Sequence, residues 1–357
     1  MLAMHRLLLV EVANWKFVAV LGSLGLALLA TAWRRRRHVP ILVSAAVALA
    51  LLSGADAVNT YFGYLPQVAD VVGVTDWPVV PARDVGVTQP TIVPAGLRRH
   101  GGVATVTVTG ATSRFGRHHV LAYLPPEYFS EPDRRFPVVY LLHGSPGRPE
   151  DWLRANRLLA IASRTDRWPI IYVMPPVSRG WLDDSECVDG RREHVETWIV
   201  RDVVPQIDDL LRTIPDRADR GVAGNSAGGY CALNLALKHS DVFGAALDMS
   251  GYAEPTYDGG LRRLFGPSWR DDAAHNTPAQ VLSSVHVTLP FSLRFAVGGG
   301  DHRPLREANA LLPTLRQHGV TASVATYPGT HTYHVWVPAL RDGTRWLGEL
   351  FYAARGQ

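Results

Sequence analysis

The sequence predicts an α/β chain: a mainly parallel sheet with helices on both faces, preceded by a transmembrane helical hairpin. Three observations carry that prediction. Short, wholly apolar runs that end in Gly, Pro or Ser alternate with helical patterns through the last two thirds of the chain. Strands buried on both faces read this way, and their alternation with helices requires parallel crossovers. Two long apolar stretches separated by four arginines open the chain. Finally, Gly224-Asn225-Ser226-Ala227-Gly228 joins one apolar run to an apolar helix, and this G-x-S-x-G spacing lets a buried strand turn sharply and hold a hydroxyl on a strained corner.

In chain order, residues 15–33 form an apolar run as long as a bilayer-spanning helix requires, with Trp15 and Trp33 at its ends where interfacial aromatics belong. Arg34 to Arg37 close it. A second run covers about residues 39–55 and stops at Asp56. Four arginines between two such runs stay cytoplasmic by the positive-inside rule, which places both ends of the hairpin outside. A cleaved signal peptide carries its basic residues before its apolar run and lacks a second run behind it, so residues 1–60 read as an anchor in the cell membrane. Residues 61–102, rich in Pro, Val, Gly and Thr without helical period, read as a juxtamembrane connector, and residues 103–357 as an extracytoplasmic catalytic domain.

The formal charge of +4 belongs to the anchor: residues up to 60 hold six of the 36 basic side chains and two of the 32 acidic ones, leaving thirty of each beyond. A neutral main domain lacks the electrostatic footprint of a nucleic-acid binder. Cys187 and Cys231, the only cysteines, are too few for a disulfide framework or a zinc site and are expected to be unpaired.

Residues 103–108 and 119–124 alternate with period two and are expected as antiparallel edge strands. Buried strands are expected at 137–142, 170–174, 221–223, 245–249, 294–297 and 322–326. The clearest helix runs from Glu193 to Ile214, with Val195, Ile199, Val203, Ile207 and Leu210/Leu211 on one stripe and Pro215 past its end.

In such a sheet, ligands bind at the carboxyl ends of the strands. Ser226 is the candidate nucleophile, at the start of a helix whose amides can face a developing oxyanion. After the strand 137–142 comes His143-Gly144-Ser145, a glycine-bearing turn, so the amides of Ser145 and Ala227 are expected to form the oxyanion hole. His143 precedes the serine, out of order for a base, and is expected to be structural or to line the substrate pocket. Gly298-Gly299-Gly300-Asp301 puts a carboxylate at a strand end between the serine and the late histidines, and Asp301 is the candidate acid, with Glu307 in reserve. His331 follows Gly329-Thr330 on a tight turn and is preferred as base over His334, one helical turn later; His302 is read as a loop residue. The loop 175–192 holds Trp181, a second substrate-binding candidate, with Asp183, Asp184, Glu186 and Asp189. It lacks the ligand spacing of an EF-hand and reads as a solvated substrate-side loop, so neither metal nor cofactor is expected.

Several short motifs run together in order: Tyr140 to Gly144, Val173-Met174-Pro175, Glu196-Thr197, Gly224 to Gly228, Met249-Ser250-Gly251, Leu264 to Pro267, Asn276-Thr277-Pro278, and Gly329-Thr330-His331 with Trp336. Through them the chain from residue 103 onward resembles the esterase-D-like α/β-hydrolases and, within these, the secreted mycolyltransferases of actinobacteria. The resemblance implies the α/β-hydrolase fold, acyl-ester chemistry, Ser226 as nucleophile and His331 as base. His143 departs from it, standing where the mycolyltransferases carry an aspartate. The acid also differs, since the transferases draw it from a glutamate and the wider family from an aspartate like Asp301. The expected function is therefore a serine esterase or acyltransferase acting on lipid or glycolipid esters of the cell envelope. A mycolyltransferase-like transfer to sugar hydroxyls is the first alternative. A non-catalytic envelope-binding protein is the second, and the complete set of Ser, Asp and His in order argues against it.

Overall fold

A computed structural model describes residues 10–35, 39–72, 77–81, 85, 95–164 and 167–353. The chain divides near residue 76 into two compact units.

The first holds two long helices, α1 (Trp15–Arg35) and α2 (Val39–Phe62). Small residues let them pack closely: a Cβ on Gly25 would meet the Ala46 carbonyl at 3.4 Å, and Ser53 Oγ donates to the Val18 carbonyl at 3.0 Å. Outward they are apolar, with Trp15 61% and Trp33 82% exposed, and both are long and apolar enough to cross a membrane. The second is longer than the sequence pattern suggests. It runs past Asp56 to Phe62, where Asn59 closes it by accepting from Leu65 N–H at 2.7 Å and donating to the Leu65 carbonyl at 2.9 Å. Of the four arginines, Arg36 and Arg37 lie outside the described residues, as does most of 82–94.

The second unit is built on nine strands: β1 (Val79–Val80), β2 (Gly102–Gly110), β3 (Gly116–Leu124), β4 (Val138–Leu142), β5 (Ile171–Met174), β6 (Arg220–Asn225), β7 (Ala245–Met249), β8 (Ser292–Gly298) and β9 (Thr321–Tyr327). Their order is β1-β2-β3-β5-β4-β6-β7-β8-β9. β3 pairs antiparallel with β2 and β5, and every other pair is parallel. This is the expected α/β-hydrolase architecture. β4 to β7 are buried throughout, which explains the wholly apolar runs of β4 and β5, while β7 also buries Asp248. The stretch read as an irregular connector contributes β1, in register with Val103 and Ala104, and the short helix Ala95–His100.

Helices cover both faces. Val195–Thr197, Trp198–Val203 and Val204–Leu210 run on as α3, with Val195, Ile199, Val203 and Ile207 buried as the stripe predicts. Its middle segment is wound one residue wider per turn. Three further helices follow: α4 (Ala227–Lys238), α5 (His302–Gln317) and α6 (Tyr333–Ala353). After β4 the chain crosses outward to β5 and then back to β6, so the sheet's topological switch point lies between β4 and β6, where a crevice opens at their carboxyl ends.

The cysteines correct the sequence reading. Cys187, in the loop after β5, is disulfide-bonded to Cys231 on α4, with Cα atoms 5.3 Å apart across a separation of 44 residues. Closing a loop of that length contributes about 2–4 kcal/mol. Accordingly, the oxidised protein should show no reactive thiol when denatured without reductant. Replacing both cysteines by alanine should lower the urea-unfolding free energy by about that amount, with a normal circular-dichroism spectrum retained.

Candidate active site

Ser226 sits at the turn from β6 into α4 with φ 57° and ψ −125°, a conformation that costs a non-glycine residue about 1–3 kcal/mol. Contacts on both sides hold it there. A Cβ on Gly224 would lie 1.9 Å from the Gly228 carbonyl oxygen, and one on Gly228 would lie 2.0 Å from the Leu142 carbonyl oxygen. Both glycines are therefore required for β6 and α4 to fold back on each other and on β4. The turn leaves the Ser226 hydroxyl at the crevice, 8% exposed.

Asp301 and His331 arrive from β8 and β9. The three glycines ahead of Asp301 allow its loop to lie against the histidine loop: Gly300 N–H donates to the Gly329 carbonyl at 2.8 Å, and a Cβ on Gly298 would come within 2.6 Å of that same oxygen. Asp301 precedes α5, but its side chain makes no capping bond. It turns instead to His331, whose Nδ1 lies 2.7 Å from Asp301 Oδ2, while Nε2 lies 2.8 Å from Ser226 Oγ. The first contact fixes the tautomer: Nδ1–H donates to the carboxylate, and Nε2 accepts from the serine hydroxyl. Trp336 abuts the imidazole edge-on at 5.0 Å and Tyr252 lies nearly parallel to it at 6.3 Å between centroids.

The other candidates are placed elsewhere. His334 bonds a backbone carbonyl and takes no part in this chain of contacts. Glu307 accepts from the Ala253 amide at 2.8 Å and from Arg303 Nε at 2.6 Å. His143 does not reach the pocket. It is buried below the Gly144 turn, where Nδ1–H donates to the Gly144 carbonyl at 2.9 Å and Nε2 accepts from Val177 N–H at 3.2 Å. Burial pushes its pKa down to about 4, so it stays neutral and props the turn. The Trp181 ring lies under the Arg148 guanidinium at 5.9 Å and is absent from the pocket lining; its neighbour Leu182, 73% exposed, is part of that lining.

A pocket of about 470 Å³ opens beside Ser226, with Ser145 and Ala227 in its lining. Its walls mix polar and apolar surface in nearly equal measure. Asp183, Asp184 and Arg192 come from the loop after β5, and Thr256, Asp258 and Arg263 from the loop after β7. The loop after β5 is not simply solvated: Ser185, Glu186 and Cys187 are buried, and burial together with Asp184 raises the Glu186 pKa to about 8. Neither Tyr252 nor Glu186 carries a sequence signal that marks it, since both lie in loops without motif or period.

Residues 113–347 match the esterase family. An uncharacterized protein of Corynebacterium glutamicum is 27% identical over 333 residues, covering 88% of this chain and 77% of its own. An esterase of Mycobacterium tuberculosis is 34% identical over 156 residues, 43% of this chain and only 32% of its own, so the likeness covers about a third of that protein. Among solved structures, a ferulic acid esterase superposes with a TM-score of 0.59 at 21% identity, over 70% of this chain and 98% of its own, which shows the shared fold. The chain belongs to the esterase family and is a carboxylic-ester hydrolase on the α/β-hydrolase fold.

Proposed function

We propose that this protein is a membrane-anchored serine esterase or acyltransferase that uses Ser226, His331 and Asp301 on acyl esters of the cell envelope. The carrying observation is the unbroken line of contacts from Asp301 Oδ2 through the His331 ring to Ser226 Oγ. In this reading Ser226 Oγ attacks the ester carbonyl as His331 Nε2 takes its proton, and the Asp301 carboxylate stabilises the imidazolium. The amides of Ser145 and Ala227 hold the oxyanion, and the imidazolium returns its proton to the departing alcohol. The acyl-enzyme is then resolved by a second hydroxyl, from water or from an acceptor.

Two observations support an envelope location. The apolar helices α1 and α2 provide an anchor, and a disulfide persists in an oxidising compartment. The charged and hydroxyl side chains among the pocket walls, Asp183, Asp184, Arg192, Thr256, Asp258 and Arg263, favour an ester whose alcohol portion carries hydroxyls, as in a glycolipid. The same walls favour, as a second reading, transfer of the acyl group to a sugar hydroxyl.

A fluorophosphonate probe should label the wild-type protein, and Ser226→Ala should abolish both labelling and p-nitrophenyl ester hydrolysis by about a thousandfold or more, with an unchanged melting temperature. Residual activity within about tenfold would rule this serine out. His331→Ala should be about as damaging and His334→Ala much milder; the reverse ranking would reassign the base. For topology, alkaline phosphatase fused after Val72 should be active, and an inactive fusion would place the domain in the cytoplasm.

A further inference from the structure

Two loops wall the pocket, 182–193 after β5 and 252–264 after β7, and neither carries a member of the Ser226–His331–Asp301 line. One buried side chain joins them. Glu186, 1% exposed, accepts from Thr256 N–H at 2.7 Å and from Thr256 Oγ at 3.3 Å, while its own amide donates to Asp184 Oδ1 at 2.9 Å. Around it the backbone is constrained. Glu186 and Cys187 have φ of 52° and 48°, consecutive left-handed positions for non-glycine residues, and Cys187 is bonded to Cys231 on the nucleophile's own helix. Such conformations persist only where the surroundings over-determine them. Thr256 and Asp184 both line the pocket, whereas Glu186 stands behind them.

We propose that Glu186 is a positioning residue: by bracing loop 182–193 against loop 252–264 it sets the affinity of the pocket for the hydroxyl-bearing alcohol portion of the ester, without touching substrate. This rests on the esterase reading given above. A brace of this kind acts on binding and leaves the chemical step to the triad, so its loss raises KM while kcat holds.

Burial, Asp184 and Asp258 disfavour the charged form of Glu186, against the pull of its two Thr256 bonds. Asp184 on its own loop and Asp258 on the opposite one face Glu186, with the Tyr230 phenol from α4 and the Tyr252 phenol beside His331 as the other titratable neighbours. Burial holds the acid protonated up to about pH 8. Above that it ionises into a site already facing two aspartates, and repulsion loosens the loops. Affinity is therefore retained below this pH and lost as pH rises through it.

The test uses full-length protein in detergent, with p-nitrophenyl acetate as the small ester and an acetylated disaccharide as the polar one. At pH 7, Glu186→Ala should raise KM for the sugar ester about tenfold, while fluorophosphonate labelling and p-nitrophenyl acetate turnover stay within about threefold. Glu186→Gln keeps an acceptor for Thr256 and should restore the sugar-ester KM to within about threefold. It should also hold KM flat to pH 9, where the wild-type KM climbs. An unchanged KM in Glu186→Ala, or an alkaline rise in Glu186→Gln equal to wild type, overturns the brace. Should Glu186→Ala fail to fold, the pH profile of Glu186→Gln decides alone. A wild type inert toward both esters and unlabelled overturns the esterase reading itself, and the brace with it.

Discussion

The close approach of three backbone segments at Ser226 is the constraint on which the rest of the catalytic unit depends. Gly224 and Gly228 leave no room for even one carbon between β6, α4 and the end of β4. That contact forces Ser226 into its left-handed corner, and it also brings the Gly144 turn beside the Ser226 side chain. A Cβ on Gly144 would sit 3.2 Å from the Ser226 Cβ. The strain at the corner is thus offset by packing that positions the serine and the neighbouring amides together. Parallel strands ending at a topological switch provide the crevice, and glycine at each crossing lets the backbone reach into it.

The same device recurs on the far side of the site. Gly298 and Gly300 let the loop after β8 press on the loop after β9, so Asp301 and His331 are set by backbone contact before their side chains meet. Each member of the line therefore stands at the end of a different strand, and the short span between those ends is set by sheet geometry. His143 belongs to this framework too. Its buried, neutral ring ties the Gly144 turn to Val177 after β5, bringing the ends of β4 and β5 into the same frame.

How far the sequence could be read follows from which forces are local. β4, β5 and β7 fall within one residue of the expected runs, because burial on both faces favours apolar residues along them, with Asp248 in β7 the one charged residue, its carboxylate accepting from the Gly251 amide. The strained turn and the glycines before Asp301 announce themselves because close backbone approach at Gly224, Gly228 and Gly298 leaves no room for a Cβ. By contrast, α2 outruns its apolar stretch because Asp56 and Asn59 interrupt hydropathy without breaking the helix. The pairing of Cys187 with Cys231 leaves no trace in a spacing of 44 residues, since it depends on a loop folding back over α4. Glu186 was hidden for the same reason: in sequence it is one acid among several, and only the return of Thr256 from another strand end buries it. His143, eligible by motif for the pocket, is drawn under the turn by Val177, a contact no local pattern encodes.

The two kinds of feature divide along functional lines. Ser226, Asp301 and His331 sit at strand ends and inherit their precision from the sheet, whereas the residues that shape the pocket sit on loops that the sheet does not hold. Those loops need another attachment, and here it leads back to the helix that starts at Ser226. Cys231 lies on the helix that begins at Ser226, and every residue of that helix from Ala227 to Leu237 is buried. A wall bonded to it is tied to the helix that starts at Ser226. The Glu186–Thr256 bond then carries that reference across to the opposite wall. The disulfide thus ties pocket shape to the position of Ser226, which a link between two surface loops could not do.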